Sequence, residues 1–188
     1  MHRKDRKAAK IRKKSRVNQM LWAGIIGAVA AVVGFGVYNY LTEGPSPTAS
    51  FGAVGSTHEH AAFLVFINGE QVDFDQQKYQ GKSRYMHLHP GNGATMHKHA
   101  TGVDLGFFFD SIGIQFASDC LRMDNGAEYC NGGPGTLKFF VNGAVNSQYG
   151  EYVFRDGNRI LISYGAEEHE QIDEQLKAVE ELRIDITD

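Results

Sequence analysis

The sequence predicts an α+β protein: a small β-rich domain with one central helix and a C-terminal helix, carried behind an N-terminal transmembrane helix. Three observations predict it. An uncharged apolar run succeeds a strongly basic N-terminus. Short runs rich in Val, Ile and aromatic residues, punctuated by Asn-Gly pairs, fill the middle of the chain. A charged segment with one apolar stripe closes it.

The N-terminal element rests on charge and length. The net charge of −3 hides a division: residues 1–16 hold nine Lys/Arg and one acid, Asp5, leaving ten Lys/Arg and twenty-one Asp/Glu for the remainder. A basic stretch serves nucleic acid or an anionic surface, and the adjoining segment decides between them. Val17 to Thr42 contains no charged residue, and MLWAGIIGAVAAVVGFGVYNYL, residues 20–41, would span about 33 Å as a helix, matching a bilayer core. Trp22 lies near one end, and Tyr38 and Tyr40 near the other, where interfacial aromatics belong. Residues 1–16 therefore read as a basic cytoplasmic tail and 17–41 as a single-pass anchor in the cell membrane. The positive-inside rule then places everything from residue 42 outside, and no nucleic-acid partner is expected. A cleaved signal peptide with a site near Pro47-Thr48-Ala49-Ser50 is the competing reading, against which the apolar run is long. A buried core helix fits poorly with a run apolar on every face. No Cys follows the run directly, which excludes a lipoprotein.

Residues 42–57, TEGPSPTASFGAVGST, read as a flexible linker. The domain proper is expected over 58–165. HAAFLVFINGEQVDF reads as a hairpin around Asn68-Gly69, and RYMHLHPGNGATMHKHA as a second around Pro90-Gly91-Asn92-Gly93. TGVDLGFFFDSIG predicts a helix of about eleven residues, capped by Thr101, closed by Gly113, with Val103, Phe107, Phe108 and Ile112 on its apolar face. A hairpin turning at Asn125-Gly126 comes next, then strands in LKFFVNGAVN and EYVFRDGNRILISYG. Residues 166–188 read as a charged helical segment, with Ile172, Leu176, Val179 and Leu182 on one stripe that packs on the domain or on a partner.

The chemistry lies in the histidines. Six of the eight fall in three His-x-His pairs: His58/His60, His87/His89 and His97/His99. Residues two apart on a strand point to one face, so each pair offers two imidazoles together. Imidazole is the commonest metal ligand near neutral pH, and three or four around one ion make many zinc and copper sites. Surface histidines on an acidic domain are the bland alternative; three pairs at sheet spacing argue against it. Convergence of the second and third pairs depends on register. If His89 faces His97 and His87 faces His99, all four share a face, which needs an odd connection or a bulge. A strict two-residue Asn92-Gly93 turn pairs Gly91 with Ala94 and sends His97 to the other face. Pro90 favours the wider loop or bulge. Met86 and Met96 are expected to point into the core. The cofactor read from this set is a copper or zinc ion, because nitrogen ligands disfavour calcium and magnesium. His2 and His169 are expected to lie outside the site.

No pattern assigns catalysis. Glu59, Asp104 and Asp110 stand near the pairs in sequence, but no metalloprotease motif, nucleophile elbow or phosphate loop is present. Cys120 and Cys130 flank MDNGAEY, so the hairpin sets them opposite one another, and outside the cytoplasm a structural disulfide is expected. The alternative is a thiol-disulfide oxidoreductase or isomerase using this pair. A third reading is an accessory subunit of a membrane protein complex, packing through Gly24, Gly27, Gly34 and Gly36.

The element order resembles a β-grasp fold, and the ending LKFFVNG…DGNRILISYG resembles the closing strands of ubiquitin-like domains, which bears on fold alone. HEHAAFLVFINGEQVDF, YMHLHPGNGATMHKHATGVDLGFFFDSIGIQF and TLKFFVNG…DGNRILISYG resemble small membrane-anchored extracytoplasmic proteins of ammonia-oxidising archaea. More distantly, they resemble bacterial extracytoplasmic domains with an L-H-x-H core. The resemblance covers roughly residues 58–165. It implies an exported, His-rich domain; such proteins are often labelled protein-disulfide isomerase. This sequence has no Cys-x-x-Cys, so only Cys120 and Cys130 could carry that chemistry.

Overall fold

The structure, a computed structural model, describes residues 51–186 and, nearer the N-terminus, residues 22, 24–27, 29 and 31–35, which are helical. Among the described residues no helix is long and apolar enough to cross a membrane. The basic tail, and most of the span and linker expected over 17–41 and 42–57, lie outside the described residues. The chain divides into two compact units, Met1–Thr48 and Ala49–Asp188.

The second unit is a mixed α+β domain. Its elements are β1 (Glu59–Ile67), β2 (Glu70–Gln71), β3 (Met86–His89), β4 (Asn92–Lys98), α1 (Leu105–Ser111), β5 (Gln115–Phe116), β6 (Cys120–Arg122), β7 (Glu128–Cys130), β8 (Thr136–Val141), β9 (Ala144–Val145), β10 (Asn158–Gly165) and α2 (His169–Glu181). The main sheet has seven strands in the order β3-β4-β1-β10-β8-β9, with β2 paired to β1; β5-β6-β7 form a separate sheet. β1 and β10 run parallel at the centre, from Ala61 opposite Asn158 to Ile67 opposite Tyr164, and their neighbours β4 and β8 are antiparallel. Burial on both faces explains why these two strands read as near-continuous apolar runs.

The β1–β2 and β8–β9 hairpins turn at Asn-Gly pairs, whereas β3 and β4 turn at Pro90-Gly91, with Asn92-Gly93 already in β4. Asn68 and Asn142 take φ of 53° and 50°, with Gly69 and Gly143 at 84° and 78°, the left-handed pair a two-residue turn requires. The central helix is shorter than the sequence predicts and is capped elsewhere. The Asp104 side chain accepts a hydrogen bond from Phe107 N at 2.8 Å, making it the N-cap. Thr101 is held outside the helix, its N–H donating to Ser56 Oγ at 2.9 Å and its carbonyl accepting from Gly52 N at 2.9 Å. Those contacts fold residues 51–57 onto the domain, and Phe51 packs against Phe107 and Tyr85.

The sheet has two differently covered faces. Ala61, Phe63 and Val65 of β1 face the main core with Leu105, Phe108 and Phe109 of α1, together with Met86, Leu88 and Met96. Both methionines are therefore core residues, as expected. On the opposite face Leu64, Phe140 and Leu161 lie under Ile172 and Val179 of α2, with Leu176 and Leu182 partly buried beside them. The stripe read in the sequence is thus the docking face of α2, within a helix that begins at His169 rather than Ala166. Alternation along β1 puts His60 on the same face as Leu64. α2 covers one end of that face, and histidines occupy the other.

Candidate metal centre

The histidine end is built by three strands. In β1 and β4, His60 stands opposite His97, and across β3 and β4, His87 stands opposite His97. One row therefore runs His60–His97–His87 across the sheet. His99 lies just past β4, its N–H donating to Tyr85 O at 2.8 Å, which continues the β3–β4 register. His89 is opposite Asn92, with a bulge between Leu88 and His89. The bulge expected from Pro90 is present, but it brings His87, not His89, opposite His97. Its cause lies in a third segment: Gly93 N donates to Asp75 Oδ1 at 2.6 Å, and a Cβ at Gly93 would come within 2.4 Å of the Phe74–Asp75 backbone. The chain therefore crosses at a point only glycine permits, and three residues of β4, Gly93 to Thr95, are taken up between the Leu88–Met96 and His89–Asn92 pairs.

All six paired histidines converge. Ring centroids lie 4.7 Å apart for His58–His60, 4.9 Å for His58–His99, 4.8 Å for His60–His97, 5.0 Å for His87–His99 and 3.9 Å for His89–His97. His58, His60 and His97 each offer a ring nitrogen, and these lie within 4.8 Å of one another, close enough to hold a metal ion. A tetrahedral sphere with bonds of about 2.0 Å sets nitrogens roughly 3.3 Å apart, so closing on an ion takes movements of little more than an ångström. His58 is exposed and opens the site to solvent. His169 lies exposed at the start of α2, and His2 is outside the described residues.

The burial of this trio is informative. His97 is 0% exposed and His60 7%. Both ring nitrogens of His97, and Nε2 of His60, are buried without a hydrogen-bond partner. Buried polar atoms are nearly always paired, because an unsatisfied one costs about 1–3 kcal/mol. Burial, and then the neighbouring rings of His89, His60, His87 and His99, lower the pKa of His97 to about 4 from an ordinary 6.5, so its lone pair stays available at neutral pH.

Outer groups orient the ligands. Asp156 Oδ1 accepts from His60 N at 2.8 Å and lies 3.4 Å from His60 Nδ1, while Gly157 N donates to His60 O at 2.8 Å. The Asp156-Gly157 turn thus grips His60 on both sides and leaves Nε2 facing the cluster. His87 Nδ1 lies 2.9 Å from Ser83 O. A carbonyl only accepts, so Nδ1 carries the proton and Nε2 the lone pair. On the reverse face Lys98 is buried against the Glu59 carboxylate and the Phe154 carbonyl, with its ammonium 4.5 Å from the Phe154 ring. Glu59 and Lys98 are register partners next to His60 and His97, so this pair ties β1, β4 and the 154–157 turn together. At the His89 end, Asp185 N lies 3.4 Å from Thr95 Oγ1 and its carboxylate 3.3 Å from Asn92 Nδ2, bringing a carboxylate to the turn.

Sequence reasoning named all six clustered histidines and missed Asp156, Ser83 and Asp185. Asp156 had a signal, since its DGN turn precedes the strand parallel to β1. The acids considered beside the pairs have other duties: Glu59 holds Lys98, Asp104 caps α1, and Asp110 is raised in pKa by burial and by Asp104. Cys120 and Cys130 stand opposite one another across β6 and β7 and are disulfide-bonded. Comparison with protein-family models, curated proteins and solved structures gives no match to this chain.

Proposed function

We propose that this chain is a membrane-anchored extracytoplasmic metal-binding protein that takes copper or zinc on the histidine face of its sheet. The single observation that carries the reading is the set of orphaned buried nitrogens on His60 and His97 beside the exposed His58. A domain that buries imidazoles with unused lone pairs recovers their desolvation cost when an ion binds. The ligands are all nitrogen, with both methionines turned to the core, which suits Cu(II) and Zn(II) alike. The anchor and external location rest on the basic tail and the uncharged run 17–42. The β-grasp reading of the domain is supported by the parallel central pair β1 and β10 flanked by antiparallel strands.

The test is elemental analysis of the purified full-length chain after loading with Cu(II) or Zn(II). At least one tightly held ion per chain is expected, replacing all six paired histidines by Ala should abolish binding, and His60→Ala with His97→Ala should lower the count. Retention below about 0.1 ion per chain after loading would defeat the reading.

A further inference from the structure

The ring planes of the cluster carry more than its proximity. An imidazole nitrogen holds its lone pair in the ring plane, so two rings ligate one ion only where their planes meet at it. His60 and His97 are perpendicular, at 90°, and His58 is inclined to His60 by 45°; these planes intersect, and one ion can lie in all three. His89 and His97 are different. Their rings are 12° from parallel with centroids 3.9 Å apart, a face-to-face stack whose planes meet only far beyond ligand distance. An ion in the plane of His97 is therefore not shared with His89 as it stands.

His87 and His89 meet each other instead. These rings are also within 20° of parallel, but they lie edge to edge and not face to face: the Nε2 atoms are 3.1 Å apart against 5.0 Å for the ring centroids, so the nitrogens point toward one another. Two nitrogens bound to one ion at about 2.0 Å are roughly 2.8 Å apart in cis square-planar geometry and 3.3 Å in tetrahedral geometry, and this pair falls between. Without an ion the contact is a hydrogen bond. Ser83 O fixes the His87 proton on Nδ1, so His89 Nε2–H donates to His87 Nε2. An ion at this point replaces that proton, which moves to His89 Nδ1 by exchange with solvent.

We propose that the six histidines hold two divalent first-row metal ions rather than one, the first on His58, His60 and His97 and the second on His87 and His89. His99 stands between the two, its ring centroid 4.9 Å from that of His58 and 5.0 Å from that of His87. The inference rests on the metal-binding reading above and deepens it: the face is a dinuclear centre, with two protein ligands at the second ion and the remaining positions open to water or an incoming donor.

The test titrates Zn(II) into the full-length chain in detergent, with His2→Ala and His169→Ala in every sample to remove the two other imidazoles. Bound zinc is counted after removal of excess, by elemental analysis and native mass spectrometry. Two ions per chain are expected, falling to one in His87→Ala/His89→Ala and to one in His58→Ala/His60→Ala. One ion in the chain with six histidines, or two ions surviving His87→Ala/His89→Ala, would overturn the proposal. No zinc in any sample would overturn the metal-binding reading beneath it. A second readout needs no cluster variant: loaded with two equivalents of Cu(II), the chain should show the half-field electron paramagnetic resonance transition of a coupled copper pair. A spectrum of isolated copper ions at that loading would equally overturn it.

Discussion

Replacing Asp156 by Asn probes the orientation of His60 without touching a ligand. The carboxylate accepts from His60 N at 2.8 Å and stands 3.4 Å from His60 Nδ1. Asn retains an acceptor for the backbone N–H but loses the charge that favours a proton on Nδ1 and a lone pair on Nε2. Outer partners of this kind change metal affinity by about 10- to 100-fold. The Asp156 side chain is 67% exposed, so water screens its charge and the lower end applies: about 10-fold, or roughly 1.4 kcal/mol. Asp156→Ala also releases the backbone N–H and should lie nearer the upper end. The assay is competition against a chromophoric zinc chelator, with thermal unfolding of the metal-free chain as a control for folding. Unchanged affinity in both variants, with the fold intact, would refute the idea that this carboxylate orients a ligand.

The same geometry sets expectations for stability. His97 has a folded pKa of about 4 against an ordinary 6.5, so the unfolded chain binds its proton first. Stability of the metal-free protein is thus unaffected by His97 above pH 6.5 and declines as pH falls toward 4, by at most about 3 kcal/mol. Denaturant unfolding should show a smaller acid loss across that window in His97→Gln than in the parent; equal losses would contradict the assignment. Cys120→Ser with Cys130→Ser should lower stability by about 2–3 kcal/mol, because the pair closes a short loop, with metal stoichiometry unchanged, since these residues belong to the separate sheet. Phe109 packs on Phe63, Phe74, Phe108 and Phe116, with ring centroids 5.1–6.4 Å away, and Phe109→Ala should cost about 3–5 kcal/mol by chemical denaturation.

What the sequence made legible was local. Asn68-Gly69 specifies its turn through residues that tolerate positive φ, so that hairpin could be read directly; the same chemistry at Asn142-Gly143 folds LKFFVNGAVN, read as a strand, into the β8–β9 hairpin. Alternation set each His-x-His pair on one face, and pointed Met86 and Met96 away from it. The register joining the pairs was not legible. It depends on Asp75 and Phe74, nearly twenty residues before the bulge they enforce, meeting Gly93 in space. The helix cap was misplaced for a similar reason: Thr101 and Asp104 both suit capping, and Ser56 claims the first. Asp156 reads as a turn residue in the sequence, and only the parallel pairing of β10 with β1 brings it to His60.

Whether imidazoles of this face hold a metal ion is tested most directly by X-ray absorption at the metal edge of the zinc-loaded full-length chain. A shell of nitrogen scatterers near 2.0 Å is expected, with the outer scattering pattern of several imidazoles and no sulfur. A sulfur shell near 2.3 Å, or an oxygen-only shell without imidazole scattering, would contradict it.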